Sequence, residues 1–303
     1  MHTNEMLHIP FQKVTIEDKE WINQRLKESD YNGCEYSFSN IFLWGTMLDF
    51  KVANYKDFLI IKAREEDKPF YYFPAGSGDL PSVLEDLKLL SRQKGKELVF
   101  GNVTKEHKNI LEGIMPNAFE YEEYRNASDY IYSREKMVSL AGKKLHGKRN
   151  HINRFKDNPN WNFELINEEN ISECYAMSVA WSLKHFSGNL FDSDFCSVQK
   201  AFDYFHQLDL AGGLIRQEGR VVAFTMGAHL NSNTFVIHIE KAYHEIQGAY
   251  PMVNQQFAKH LPEHIEYINR EEDLGEEGLR RSKMSYYPDL LLTKHIATLK
   301  ESP

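Results

Sequence analysis

Residues 267–288 run YINREEDLGEEGLRRSKMSYYP, where five carboxylates (Glu271, Glu272, Asp273, Glu276, Glu277) face four bases (Arg270, Arg280, Arg281, Lys283). Acyl transfer to an amine needs such a mixture: a carboxylate to take the amine proton, and donors or cations for the oxyanion and for a phosphate-rich carrier. Glu272 and Asp273 are candidates for the base, Lys283 for the oxyanion or phosphate partner, and Arg280 for an orienting clamp. Gly275 and Gly278 interrupt the run, which predicts tight turns rather than a continuous helix. The alternation before it predicts a strand, so the acids stand where a strand gives way to a turn. The structural alternative is an ion-pair network that pins the last helix.

A second concentration of charge covers residues 140–155, LAGKKLHGKRNHINRF. Six Lys or Arg fall between Lys143 and Lys156, and no acid appears until Asp157. Such a run suits an anion, either a phosphate-bearing cofactor or an RNA backbone. A solvated helix face with Leu145, Ile152 and Phe155 beneath it explains the residues equally well.

Three further features complete the inventory. The segment 243–250, YHEIQGAY, places Gln247 and Gly248 before a predicted helix, where backbone N–H groups neutralise anions. Glu240 closes a predicted strand and aims a carboxylate at whatever lies there, to bind an amine, to act as a base, or simply to pair with Arg280. His238 shares its face and His244 lies nearby, but there is no HxxxH and no Cys/His cluster, so no metal is expected. No GxSxG or other nucleophile constellation stands out, which fits direct attack of an amine on a bound ester or thioester.

The composition limits what must hold these groups. With 303 residues, 42% of them hydrophobic, the chain can form one large domain or two ordinary ones. A net charge of -8 excludes a general nucleic-acid binder but leaves room for a local basic groove. No run is long enough to span a membrane, and MHTNEMLHIPFQKV lacks the features of a signal peptide. The three cysteines, Cys34, Cys174 and Cys196, are too few and too scattered for a disulfide framework, so a reducing cytoplasm is expected.

Periodicity divides the chain into two halves of one plan. In the first, helices are expected over 16–27, 38–47, 81–92 and 105–114, with strands over 50–53, 58–63, 70–73 and 98–103 and near Tyr121 and Tyr130. In the second, helices are expected over 135–155, 171–186, 194–208 and 252–260, and strands over 213–217, 220–229, 234–239 and 266–269. Strand, glycine-bearing loop, helix and strand recur in both, which places a boundary between residues 133 and 134.

NREEDLGEEGLRRSKMSYYP and KKxxxKRNxINRF together resemble signatures of a bacterial family similar to the C-terminal domain of phosphatidylglycerol lysyltransferases. The resemblance implies an α+β fold of two tandem GNAT-like domains, related to Fem-type aminoacyltransferases. Residues 1–133 would be a degenerate first domain, lacking the basic helix and the charged signature, and 134–303 the domain with the active site. It implies transfer of an aminoacyl group from charged tRNA to an amine or hydroxyl of a small-molecule or peptide acceptor. Acyl-CoA as donor, and a non-catalytic module that binds an anion, are the alternatives. Glu240, Glu272, Asp273 and Lys283 would then be catalytic, and Lys148, Arg149, Asn150, Gln247, Gly248, Asn254 and Arg280 would bind donor or substrate. From Gln247 the sequence departs from the glycine spacing of acetyl-CoA users.

Overall fold

The computed structural model describes residues 6–65, 68–185 and 193–300. The expected end of a helix at Phe186 and residues 1–5 of the N-terminal stretch lie outside them. The chain forms two units that divide between Asp129 and Tyr130, and from Leu292 onward it rejoins the first. The sequence boundary at 133/134 thus falls four residues late and misses the return.

The first unit contains β1 (Gln12–Lys13), α1 (Lys19–Ser29), α2 (Phe38–Trp44), β2 (Lys51–Tyr55), β3 (Phe58–Glu65), β4 (Lys68–Tyr72) and β5 (Ala75–Gly76). It continues with α3 (Leu80–Gln93), β6 (Val99–Val103), α4 (Lys105–Ile114) and β7 (Phe119–Glu123). Helix α3 starts because Asp79 accepts from Ser82 N–H and Pro81 fits the first turn. Its Val83, Leu84, Leu87 and Leu90 recur at helical spacing and are buried against Phe73 and Phe100 in the core of the unit. Each such side chain contributes about 1.5–3 kcal/mol by leaving water.

The second unit opens with β8 (Asp129–Ser133), α5 (Arg134–Ser139), α6 (His146–Lys156), β9 (Trp161–Leu165), α7 (Ile171–His185) and α8 (Ser193–Asp203). Then come β10 (Ala211–Gln217), β11 (Arg220–His229), β12 (Thr234–Ala242), α9 (Ala249–His260), β13 (Tyr267–Asn269), α10 (Glu277–Met284) and β14 (Leu290–Leu292). The last strand, β15 (His295–Leu299), belongs to the sheet of the first unit.

The two sheets repeat one order. In the first, β1 to β4 are antiparallel, β6 lies parallel to β4, and β15 is inserted between β6 and β7. In the second, β9 to β12 are antiparallel, β13 lies parallel to β12, and β8 pairs beyond it with β14 at its side. In each unit the parallel strand follows a loop and a helix, as a parallel connection requires.

Three local expectations change. The helix expected over 135–155 is two helices, because Leu140 and Gly142 adopt positive φ. Gly278 lies inside α10 rather than in a turn, and only Gly275, with φ 83°, makes one. Strand β12 runs on to Ala242, past the predicted end at residue 239. Among the described residues no helix is long and apolar enough to cross a membrane.

Candidate functional site

The site of the second unit forms where two parallel strands part. Main-chain pairing between β12 and β13 stops at Val236↔Asn269, yet β12 continues to Ala242. Two side-chain pairs bridge the gap. His238 Nδ1 lies 2.8 Å from Glu271 Oε1, and Arg270 Nη2 donates to Glu240 Oε1 at 2.8 Å. A bulge aims these groups: β11 pairs Met226 with Ile239 but Gly227 with Ile237, which leaves His238 as the extra residue. Gly227 permits it, since a Cβ there would stand 1.8 Å from the Val236 carbonyl oxygen.

Arg270 is buried and Glu240 half-buried, and their pair is only half used. Glu240 Oε1 also accepts from Asn254 Nδ2 at 3.2 Å, and Asn254 hydrogen-bonds Tyr286. Glu240 Oε2 and Arg270 Nη1 are buried and have no partner among the described residues. Charges leave water at several kcal/mol each, so an unused acceptor and donor side by side are costly unless something takes them up. The guanidinium lies 5.0 Å from the Tyr286 ring and 5.7 Å from that of Tyr132. Burial pushes the Tyr286 hydroxyl up to about 12 despite the Arg270 charge, so it stays protonated. Above the same ring, 4.0 Å from its centre, sits Lys148 Nζ. This half-buried ammonium has no hydrogen bond or ion pair among the described residues. Burial, and then the charge of Arg270, push Lys148 down to about 8, with Glu240 opposing. An amine with that value exchanges protons near neutral pH.

The charged signature stabilises its own loop instead. The carboxylate of Asp273 is buried, accepts from Arg280 Nε at 2.8 Å and Nη2 at 2.9 Å, from Gly275 N–H at 2.9 Å, and from the Tyr130 hydroxyl. Burial alone would raise its pKa, but these four donors hold it well below the usual carboxylate range. Asp273 is therefore saturated, which removes it as a base, and Arg280 is spent on it. Lys283 donates to the carbonyl oxygens of Arg270 (2.6 Å) and Glu272, which ties the turn to α10 and takes two of the ammonium's three N–H donors. Of Glu272, the backbone carbonyl takes part in this tie.

The other sequence candidates also divide. Arg149 folds back onto the carbonyls of Leu140 and Gly142 and caps the end of α5. Asn150 meets His146 at 3.1 Å on the exposed side of α6, and Gln247 meets His151 at 3.3 Å. Gly248 serves packing: with φ 89° it lies so close to α6 that a Cβ would stand 2.2 Å from the His151 carbonyl oxygen. The structure thus gathers Glu240, Asn254 and Lys148, and adds Arg270, Tyr286 and Tyr132, which the sequence had not singled out. Arg270 was readable as the first charge after a strand; the tyrosines gave no signal beyond their place in the signature.

In the first unit, three potential metal ligands, Cys34, Glu35 and Asp129, come together, but an ammonium occupies the cation position. Lys294 Nζ donates to Glu35 Oε2 at 2.7 Å and Asp129 Oδ1 at 2.6 Å, and all four side chains are buried.

A sheet plan repeated in tandem, each copy with one parallel pair, is a tandem GNAT-like fold. FemX shares it, with a TM-score of 0.62, 9% identity and coverage of 96% of this chain and 98% of that one. The chain belongs to the family described as phosphatidylglycerol lysyltransferase, C-terminal, which it matches over residues 26–298. A conserved protein of unknown function from Bacteroides thetaiotaomicron is 38% identical over 97% of this chain and 100% of its own, with a TM-score of 0.90. L-PGS from Bacillus licheniformis is 20% identical over 94% and 93%, with a TM-score of 0.64. A curated relative, an uncharacterized protein of Mycoplasmoides gallisepticum, is 18% identical over 57% of this chain, which spans 56% of that relative's length.

Proposed function

We propose that the protein is an aminoacyltransferase that takes an aminoacyl group from charged tRNA and passes it to an amine or hydroxyl acceptor. The observation that carries this reading is the half-used pair of Glu240 and Arg270. Glu240 Oε2 suits the ammonium of an aminoacyl group, and Arg270 Nη1 suits its carbonyl oxygen as that oxygen gains charge. Lys148, pushed down to about 8, serves as the base that takes the acceptor's proton, a role the sequence assigned to Glu272 or Asp273.

Acyl-CoA as donor has less support. An extended amide-bearing arm would pair along the free edge of β12 past Val236. That edge is crossed by His238–Glu271 and Arg270–Glu240, and Gly248 is committed to α6.

The test is release and transfer of a labelled amino acid from a mixed pool of charged tRNA, with acyl-CoA titrated in parallel by thermal shift. Protein-dependent release that is lost in Glu240→Gln supports the reading. A saturable shift with acyl-CoA and no release from any tRNA overturns it. Binding of small anions with neither reaction leaves the anion-binding module.

A further inference from the structure

The exposed side of α6 continues past the site onto β9 and the end of α9, and its charge is not balanced. Lys143, Lys144, Arg154, Lys156 and Lys259 are exposed and have no ion pair among the described residues, although the chain as a whole has a net charge of -8. Burial, and then the charge of Lys156, lower the pKa of Lys259. Like charges concentrated on one face favour an anion from outside.

Beside this pair lies an aromatic platform. Trp161 and Phe163 alternate on one face of β9 and are half-buried. Lys156 Nζ sits 5.8 Å above the Trp161 ring, and Phe163 is stacked on His260 at 4.4 Å. The indole N–H has no hydrogen-bond partner among the described residues. Asp157 follows Lys156 directly at the end of α6, whereas Glu164, next to Phe163, points to the other face and is held by Arg216 at 2.8 Å.

We infer that this face holds the single-stranded 3′ end of the donor RNA, with phosphates on Lys156 and Lys259 and a base stacked on Trp161. The inference rests on the tRNA-donor reading above. From Lys148, over the site, to Lys156 is eight residues of α6, about 12 Å, which spans about two nucleotides. A membrane surface is the other polyanion a basic face could meet. RNA is favoured because flat half-buried rings beside lysines form a stacking surface for bases.

The experiment uses the full chain and a short RNA hairpin with an unacylated single-stranded 3′ tail, followed by anisotropy and tryptophan fluorescence over a salt series. The double change Lys156→Glu and Lys259→Glu is expected to weaken binding at least tenfold and to flatten the salt slope by about 1.4 for two phosphate contacts. Trp161→Ala is expected to cost about tenfold, and Trp161→Phe to restore most of it. Wild-type affinity and slope in these variants overturn the inference. So does charge-dependent binding to phosphatidylcholine vesicles containing phosphatidylserine when RNA is not bound. If the RNA footprint holds and no aminoacyl transfer is found, the functional reading fails alone.

Discussion

The two units share one sheet plan but differ in how many carboxylates meet the buried cation. In the first, Lys294 is wholly enclosed and donates to two carboxylates, with Cys34 N–H completing Asp129 at 2.8 Å. In the second, Arg270 meets the single carboxylate of Glu240, and among the described residues neither its Nη1 nor Lys148 Nζ has a hydrogen-bond or ion-pair partner. This cluster is enclosed, with Glu35 Oε1 left without a partner among the described residues, and it ties chain segments together: the approach to β15 is bound to the turn before α2 and to the start of β8. An incompletely satisfied pair is poor structure and good recognition, because a ligand can supply what is missing.

Lys294→Met is the strongest way to break the contrast. It strands two buried carboxylates and is expected to cost about 3–5 kcal/mol in chemical denaturation. Restoring stability with Glu35→Gln and Asp129→Asn in the same chain would show that charge, not shape, is at fault. Gly248→Ala comes next. With a positive φ and a Cβ 2.2 Å from the His151 carbonyl, it is expected to lose about 1–3 kcal/mol by the same measurement.

Glu35 and Lys148 give smaller effects that depend on pH in opposite senses. Burial raises the Glu35 pKa, with Lys294 opposing and Asp129 reinforcing, so the folded state holds its proton more tightly than the unfolded one. Its contribution is complete below the unfolded value of 4.5 and fades as pH climbs through the raised folded value. Glu35→Gln should remove that decline, so its stability relative to wild type improves from acid to neutral pH. Lys148 is lowered from 10.5 to about 8, so between these values the unfolded chain binds more protons and wild-type stability rises with pH. Lys148→Met should abolish this rise, and also the limb of transfer rate that climbs toward pH 8. An unchanged rate profile in Lys148→Met would return the base to another residue. The least effect belongs to Arg281→Ala, which breaks an exposed pair with Glu277 and should cost about 0.3–0.5 kcal/mol.

The sequence was legible where local rules apply. Helical spacing in α3, strand runs in β10 to β12 and the repeated strand–loop–helix–strand order all follow from neighbours along the chain. It misled where charge density was taken for chemistry. Asp273, Arg280 and Lys283 hold a turn together, and their neighbour Arg270, one charge among many in the run, reaches the site. Arg149 and Gly248 likewise stood beside the right elements and serve to pack them.

By itself, then, the sequence determined the repeat, the elements and the two charged segments, because periodicity and composition are properties of short windows. It also pointed to Glu240, Asn254 and Lys148, three of the side chains at the site. Only the tertiary structure decided their partners. Glu240 meets Arg270 thirty residues on because β12 outruns β13, and a bulge at His238 turns the strand toward the gap. Lys294 meets Glu35 across 259 residues because the end of the chain returns to the first sheet. Contacts of that range are set by strand order and register, which no local pattern encodes.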